Sequence, residues 1–283
     1  MPRTSKPIVE VPLRFPEPTG VDSYVVFGLD PSLSRTGHAL LIIKPAANWT
    51  IAEWESVGSA KPGNTSDPIW VRSKLISLYL RDVVREFVAK RALIGKVGLI
   101  VSMEWPTPMN DFLVALNRVL HMILLEEISN FPSTTTGGMP FEFSEIHVLQ
   151  TNANTLRSLM GLTQRGNKNK AENQAKAHEY LDDSKAFPQL DTDACDAVLL
   201  AVMGRFAASI LLGKEGEVPQ RFKQTLCSNE IVIKGKGRNQ RTEIKGLFWN
   251  KRYWNTYTKK IYEIMLKNAR SPKLRLGRRT YAI

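Results

Sequence analysis

Cysteine is nearly absent from this chain: Cys195 and Cys227 are the only two among 283 residues. Two thiols cannot build a disulfide framework or a four-cysteine zinc ribbon, and their scarcity fits a reducing cytosol. Long apolar runs are lacking as well. None approaches the roughly 18 residues of a membrane span. The first residues carry charges and prolines where a secretory leader would carry an apolar core. Internal repeats are lacking, which excludes solenoids and repeat arrays.

Acidic residues are scarce in one region only. From Gln220 to Ile283 there are 17 Lys and Arg against 3 Asp and Glu, a balance of +14. The preceding 219 residues hold 22 basic and 24 acidic groups, or −2. A near-neutral body therefore carries a strongly basic tail, and a polyanion is the partner such a tail suits. The tail also holds aromatics: Phe222, Phe248, Trp249, Tyr253, Trp254, Tyr257, Tyr262 and Tyr281. They would form a small core or stack on exposed bases.

What is present is a body of ordinary apolar content, 43%, with clear periodicities. Tyr24–Leu41 reads YVVFGLDPSLSRTGHALL: an apolar run ending on Asp30, a turn rich in Pro, Ser and Gly, and a second apolar run from His38. This predicts a strand, a tight turn and an antiparallel strand. Trp49–Ser59 predicts a third strand. Apolar residues at Val71, Leu75, Leu78, Val83 and Phe87 predict a helix over 67–91. Val97–Met103 predicts a buried strand, parallel to the first because a crossover helix precedes it. An apolar helix is expected over Asp111–Ser129 and a fifth strand over Phe143–Leu149. A short helix is expected over Thr151–Gly161, a basic loop over Thr163–Lys170, and helices over Ala171–Leu181 and Asp191–Leu212. A hairpin over Ile231–Ile244 and a helix over Asn250–Lys267 follow in the tail. Residues 1–22, with five prolines, read as an extended arm.

Three segments place acids at element ends: Asp30, Glu104 in LIVSME, and Asp193 with Asp196 in DTDACDAVLLA. Singly, each has an ordinary explanation. Asp30 would form a turn, Glu104 would be a solvated strand end, and Asp193 would favour a helix start. Together they fit one arrangement. The first and fourth strands would be parallel neighbours, placing Asp30 and Glu104 side by side at the edge where open α/β sheets bind ligands. Spacing of i, i+3 puts Asp193 and Asp196 on one helix face. Four carboxylates in one place call for cations, and oxygen ligands select Mg²⁺ or Mn²⁺. Two such ions about 4 Å apart activate water against a phosphodiester.

These motifs resemble those of the RuvC-type Holliday-junction resolvases, in the ribonuclease H-like superfamily, across about Tyr24–Gly213. GLDPSLSRTG (Gly28–Gly37) is similar to the first motif, IVSMEW (Ile100–Trp105) to the second, and DACDAVLLA (Asp193–Ala201) to the third. The resemblance implies metal-dependent hydrolysis by Asp30, Glu104, Asp193 and Asp196, each a metal ligand, with two Mg²⁺ or Mn²⁺ ions per site. It also implies a basic residue near the scissile bond, for which Lys170 in GNKNKAEN is the match and Arg157 a second choice. Ser32 stands where bacterial members often have Gly. Where the family often carries an aromatic wedge, this chain has Pro106 and Thr107, with Trp105 the nearby aromatic.

The expected fold is α/β: a ribonuclease H-like mixed five-stranded sheet with helices on both faces and a small basic C-terminal extension. The expected domains are an arm (1–22), a nuclease domain (23–213) and a DNA-binding extension (214–283). The expected function is cutting of Holliday junctions or other branched DNA, in a bacterial cytoplasm or a phage-infected cell. Expected DNA contacts are Arg35, Arg157, Arg165, Lys168, Lys170, Lys245, Lys251 and Arg252. Symmetric cutting calls for a homodimer, for which the second face of the 111–129 helix is the expected interface. No membrane and no nucleotide cofactor are expected. The alternatives are a non-catalytic DNA-binding or viral assembly protein of the same fold, or another nuclease of that fold. Transposase-like and RNA-guided enzymes are disfavoured by the missing zinc motif and extra domains. An actin-like ATPase is disfavoured by the missing duplication and phosphate loops.

Overall fold

β1 (Ser23–Asp30) is buried along all eight residues, as an apolar strand must be when a sheet is covered on both faces. The computed structural model describes residues 20–32, 35–61, 63–64, 66–91, 93, 95–105, 133–134, 140–141, 143–163, 168–181, 190–227, 230–234, 241–245, 249–250, 274–276 and 279–281. The helices expected over 111–129 and 250–267 and nearly all of the proline-rich arm lie outside them. The chain divides into two units at Phe248/Trp249.

In the first unit, β2 (Thr36–Pro45) runs antiparallel to β1, with Asp30 opposite Gly37. β3 (Thr50–Ala60) runs antiparallel to β2, with an irregularity between Leu40 and Leu41. Helix α1 (Ile69–Lys90) carries the chain back across the sheet. β4 (Val97–Trp105) then lies parallel to β1, and β5 (Glu145–Asn152) parallel to β4. Within this unit the strands lie in the order β5-β4-β1-β2-β3, the mixed five-stranded arrangement that the sequence predicts. Ser133–Thr134 pairs antiparallel with Pro140–Phe141.

Strand alternation sorts the faces. Tyr24, Val26, Gly28 and Asp30 face one side; Val25, Phe27 and Leu29 face the other. α1 covers the second face, where the Tyr79 hydroxyl meets His38 Nδ1 at 3.1 Å. The first face is covered by α4 (Thr192–Leu211), which follows α2 (Ala153–Met160) and α3 (Lys168–Tyr180). By length and composition α4 could cross a membrane, yet most of it is enclosed here. Two glycines set its approach. A Cβ on Gly28 would stand 2.2 Å from the Ala197 carbonyl oxygen, and one on Gly37 would stand 1.9 Å from the Asp193 carbonyl oxygen. Helix backbone thus rests directly on strand backbone. Gly28→Ala is expected to lower unfolding free energy by about 1–3 kcal/mol through overpacking. A urea midpoint equal to wild type would contradict this seating.

α4 is not the last helix of the body. A 3-10 turn, Glu215–Glu217, and helix α5 (Gln220–Cys227) follow it. Glu217 accepts the Thr50 backbone N–H at 2.8 Å. Phe222 and Leu226 are fully buried in the same core as α4, and the Phe222 ring lies 4.5 Å from that of Phe206. The boundary expected at 213/214 therefore falls inside one packed unit, because α5 carries an apolar i, i+4 pair amid basic residues. The hairpin forms as Glu230–Lys234 with Arg241–Lys245. Within the second unit, Leu274–Leu276 pairs with Arg279–Tyr281.

Candidate active site

The site is built where β1 and β4 end. The parallel register runs to Leu29 opposite Met103, so the next residues, Asp30 and Glu104, stand on adjacent strands, which lie about 4.8 Å apart. Both share parity with residues facing α4: Gly28 on β1, and Ile100, Ser102 on β4 beneath Gly204. The Gly37 and Gly28 contacts set the first two turns of α4 over the same spot. Asp193 and Asp196 project from those turns.

The four acids also act on one another electrostatically. Burial holds Asp30 well above the usual carboxylate range, and Glu104, Asp196 and Asp193 push it further. Burial, with Asp196, pushes Glu104 up to about 7. Asp196 is raised by burial and by Asp193, against a hydrogen bond from Asn173 and the fields of Arg157 and Lys170. Asp193 is raised by burial and by Asp191, against Arg35 and Lys170. Among the described residues, no hydrogen-bond donor reaches the Asp30, Glu104 or Asp193 carboxylate. Among the same residues, no three His, Cys, Asp or Glu side chains are gathered closely enough to hold a metal ion.

Lys170 lies in the first turn of α3 rather than in a loop, and is exposed. Its charge reaches both Asp193 and Asp196. Arg157, on α2, pairs with Glu172 at 3.8 Å, and its field reaches Asp196. Arg35 pairs within the fold: its Nη1 meets Asp191 Oδ2 at 2.7 Å. Ser59 donates to the same oxygen, and Asp191 Oδ1 accepts the Ala194 N–H at 2.9 Å as the α4 cap. Burial pushes the Asp191 carboxyl up, and these bonds more than offset it, leaving it below the usual range. The clamp ties the ends of β2 and β3 to the start of α4. Lys168 opens α3 and Lys245 ends a strand, with side chains outside the description, as are Arg165, Lys251 and Arg252 entirely.

One residue escaped the sequence reading. Asn173 Nδ2 donates to Asp196 Oδ1 at 2.6 Å. The available signal was its i, i+3 spacing from Lys170, which puts amide and ammonium on one face of α3.

This is an α/β protein with an acidic cluster at a sheet edge. No family model matches the chain, and no curated protein matches it. Among solved structures it is similar to T. thermophilus RuvC in complex with Holliday junction substrate. The identity is 15%, the TM-score 0.43, and the match covers 67% of this chain and 96% of that one. It is also similar to a second Thermus thermophilus RuvC structure, at 14% identity and TM-score 0.42, covering 65% and 95%. The architecture above stands on the strand pairing of this chain and not on that likeness.

Proposed function

We propose that this protein is a metal-dependent endonuclease acting on branched DNA, four-way junctions above all. The observation that carries the reading is the convergence of Asp30, Glu104, Asp193 and Asp196 from β1, β4 and α4, each raised in pKa. Such a group holds its charge poorly alone, and its all-oxygen donor set fits two Mg²⁺ or Mn²⁺ ions. Bound ions would supply the Lewis acidity that activates water and stabilises a leaving phosphodiester oxygen. The chain's own residues do the rest. Asn173 holds Asp196 in orientation, and the Arg35–Asp191–Ser59 clamp fixes the start of α4. Lys170, exposed beside the acids, meets a DNA phosphate. The basic residues beyond Gln220 supply affinity. Paired cuts in opposite strands call for two copies of the chain, with the 111–129 segment as the proposed interface.

A second reading, a DNA-binding protein that does not cut, is favoured by the absence of a finished metal cage among the described residues. One experiment separates the two: a labelled four-way junction and a linear duplex of equal length, each incubated with and without Mg²⁺ or Mn²⁺. Paired incisions on the junction, only with metal, are expected. Tight junction binding with no incision in either metal would establish the second reading.

A further inference from the structure

We propose that the start of α1 is a second anion site, taking a phosphate-type oxyanion on Arg72 and the first-turn N–H groups. Arg72 is 5% exposed, and among the described residues its enclosed Nε and Nη2 have no hydrogen-bond partner. Among the described residues no ion pair involves it. A buried guanidinium without a counter-ion is costly, so the fold holds a cation ready for an anion. Arg72 begins the buried stripe of α1 that continues through Ile76, Leu80 and Val84. Helical side chains lean toward the N-terminus, so this one reaches back beneath the first turn.

That turn is itself prepared for an anion. The first N–H groups of a helix lack intrahelical partners. The cap residue here is Pro68, which makes no side-chain cap bond, and the first turn holds no acid. The nearest acid in sequence, Asp67, accepts the Asn64 N–H at 2.7 Å, within the loop. The turn is open to solvent, since Trp70 is 67% exposed.

The position follows from the register of α1 against β2. Tyr79 touches His38. Arg72 lies seven residues up the helix, about 10 Å, and Thr36 lies two residues up the strand, about 7 Å. Both elements descend from the edge that carries Asp30. Arg72 therefore stands level with Thr36 or just above it. Thr36 alternates with Gly37 and so faces α1, and its buried Oγ1 likewise has no partner among the described residues. The anion site thus shares the sheet edge with the carboxylates but lies on the opposite face. A phosphate of nucleic acid crossing that edge would fill it. This assignment of the phosphate's source rests on the proposed function, whereas the oxyanion site stands on geometry alone.

The test uses the full chain as wild type, Arg72→Met and Arg72→Lys. Melting is followed in chloride and in inorganic phosphate at matched ionic strength and pH. Wild type is expected to gain several degrees, saturating with phosphate. Arg72→Lys should keep part of the gain, and Arg72→Met should lose it while melting normally in chloride. No gain in wild type, or a gain that Arg72→Met retains, overturns the site. DNA binding without divalent ions then identifies the source. A loss of about 0.9 from the log–log salt slope in Arg72→Met assigns the site to a backbone phosphate. An unchanged slope beside a lost phosphate gain assigns it to the free anion. Neither measurement reads cleavage, so failure of the nuclease reading remains separately visible.

Discussion

Asp30→Asn is expected to lower junction cleavage at least about a hundredfold to a thousandfold, to leave DNA affinity within about threefold, and to raise the melting temperature of the metal-free protein. The three effects share one cause. Asp30 is the acid on which burial and the other three carboxylates all act, so its charge is the hardest to hold without cations. A carboxyl whose folded pKa lies above its unfolded value keeps its proton in the fold after the unfolded chain has lost it. Stability therefore falls as pH rises between the two values. For Glu104 that window runs from its ordinary 4.5 to about 7, and Glu104→Gln should recover about 3 kcal/mol above it. His38 acts in the opposite direction. Burial lowers it from 6.5 to about 4, so stability falls as pH drops through that range. The wild-type profile mixes the two slopes, and the Asn and Gln variants isolate the carboxylate part. Melting at pH 8 with and without Mg²⁺ completes the test: Mg²⁺ should stabilise wild type and do little for Asp30→Asn. Wild-type cutting by Asp30→Asn, or equal Mg²⁺ stabilisation of both proteins, would remove these acids from the reaction.

The parts of this site that were legible in sequence are those written locally. An apolar run that stops on an acid shows where a strand ends and which edge its carboxylate occupies, which served for Asp30 and Glu104. A three-residue spacing at a helix start served for Asp193 and Asp196. What escaped depends on partners far along the chain. Gly28 and Gly37 resemble ordinary strand and turn glycines until α4, some 160 residues later, is laid on them. Arg35 resembles a free DNA-binding cation until Asp191 is found beside it. The start of α3 was hidden because Lys168–Lys170 is polar throughout. Phe222 was obscured by charge: among so many basic residues, the burial of an i, i+4 aromatic–aliphatic pair leaves little trace in composition.

The placement of Phe222 determines how the basic region must be tested. Ending the chain after Phe248 removes the second unit, with 10 Lys and Arg against 1 Asp or Glu. The first unit, including α5, keeps all its residues. The truncated protein is expected to stay folded by circular dichroism and to bind junction DNA much more weakly. Each lost phosphate contact should flatten the slope of log affinity against log salt by about 0.9. If half of those ten cations meet phosphates, the slope changes by about 4 to 5, and affinity at moderate salt falls by several orders of magnitude. Some cleavage should persist at low salt and high protein concentration, because all four acids lie before Gly213. Ending the chain before Gln220 removes more charge but also Phe222 and Leu226, each worth roughly 1.5–3 kcal/mol of burial, and exposes the face of α4 they cover. That shorter protein is expected to unfold or melt far lower, so its failure to bind would say nothing about charge. The comparison of the two ends separates core from contact surface. A folded 1–248 protein that binds junctions with the full-length salt slope would show that the second unit's charge does not meet DNA.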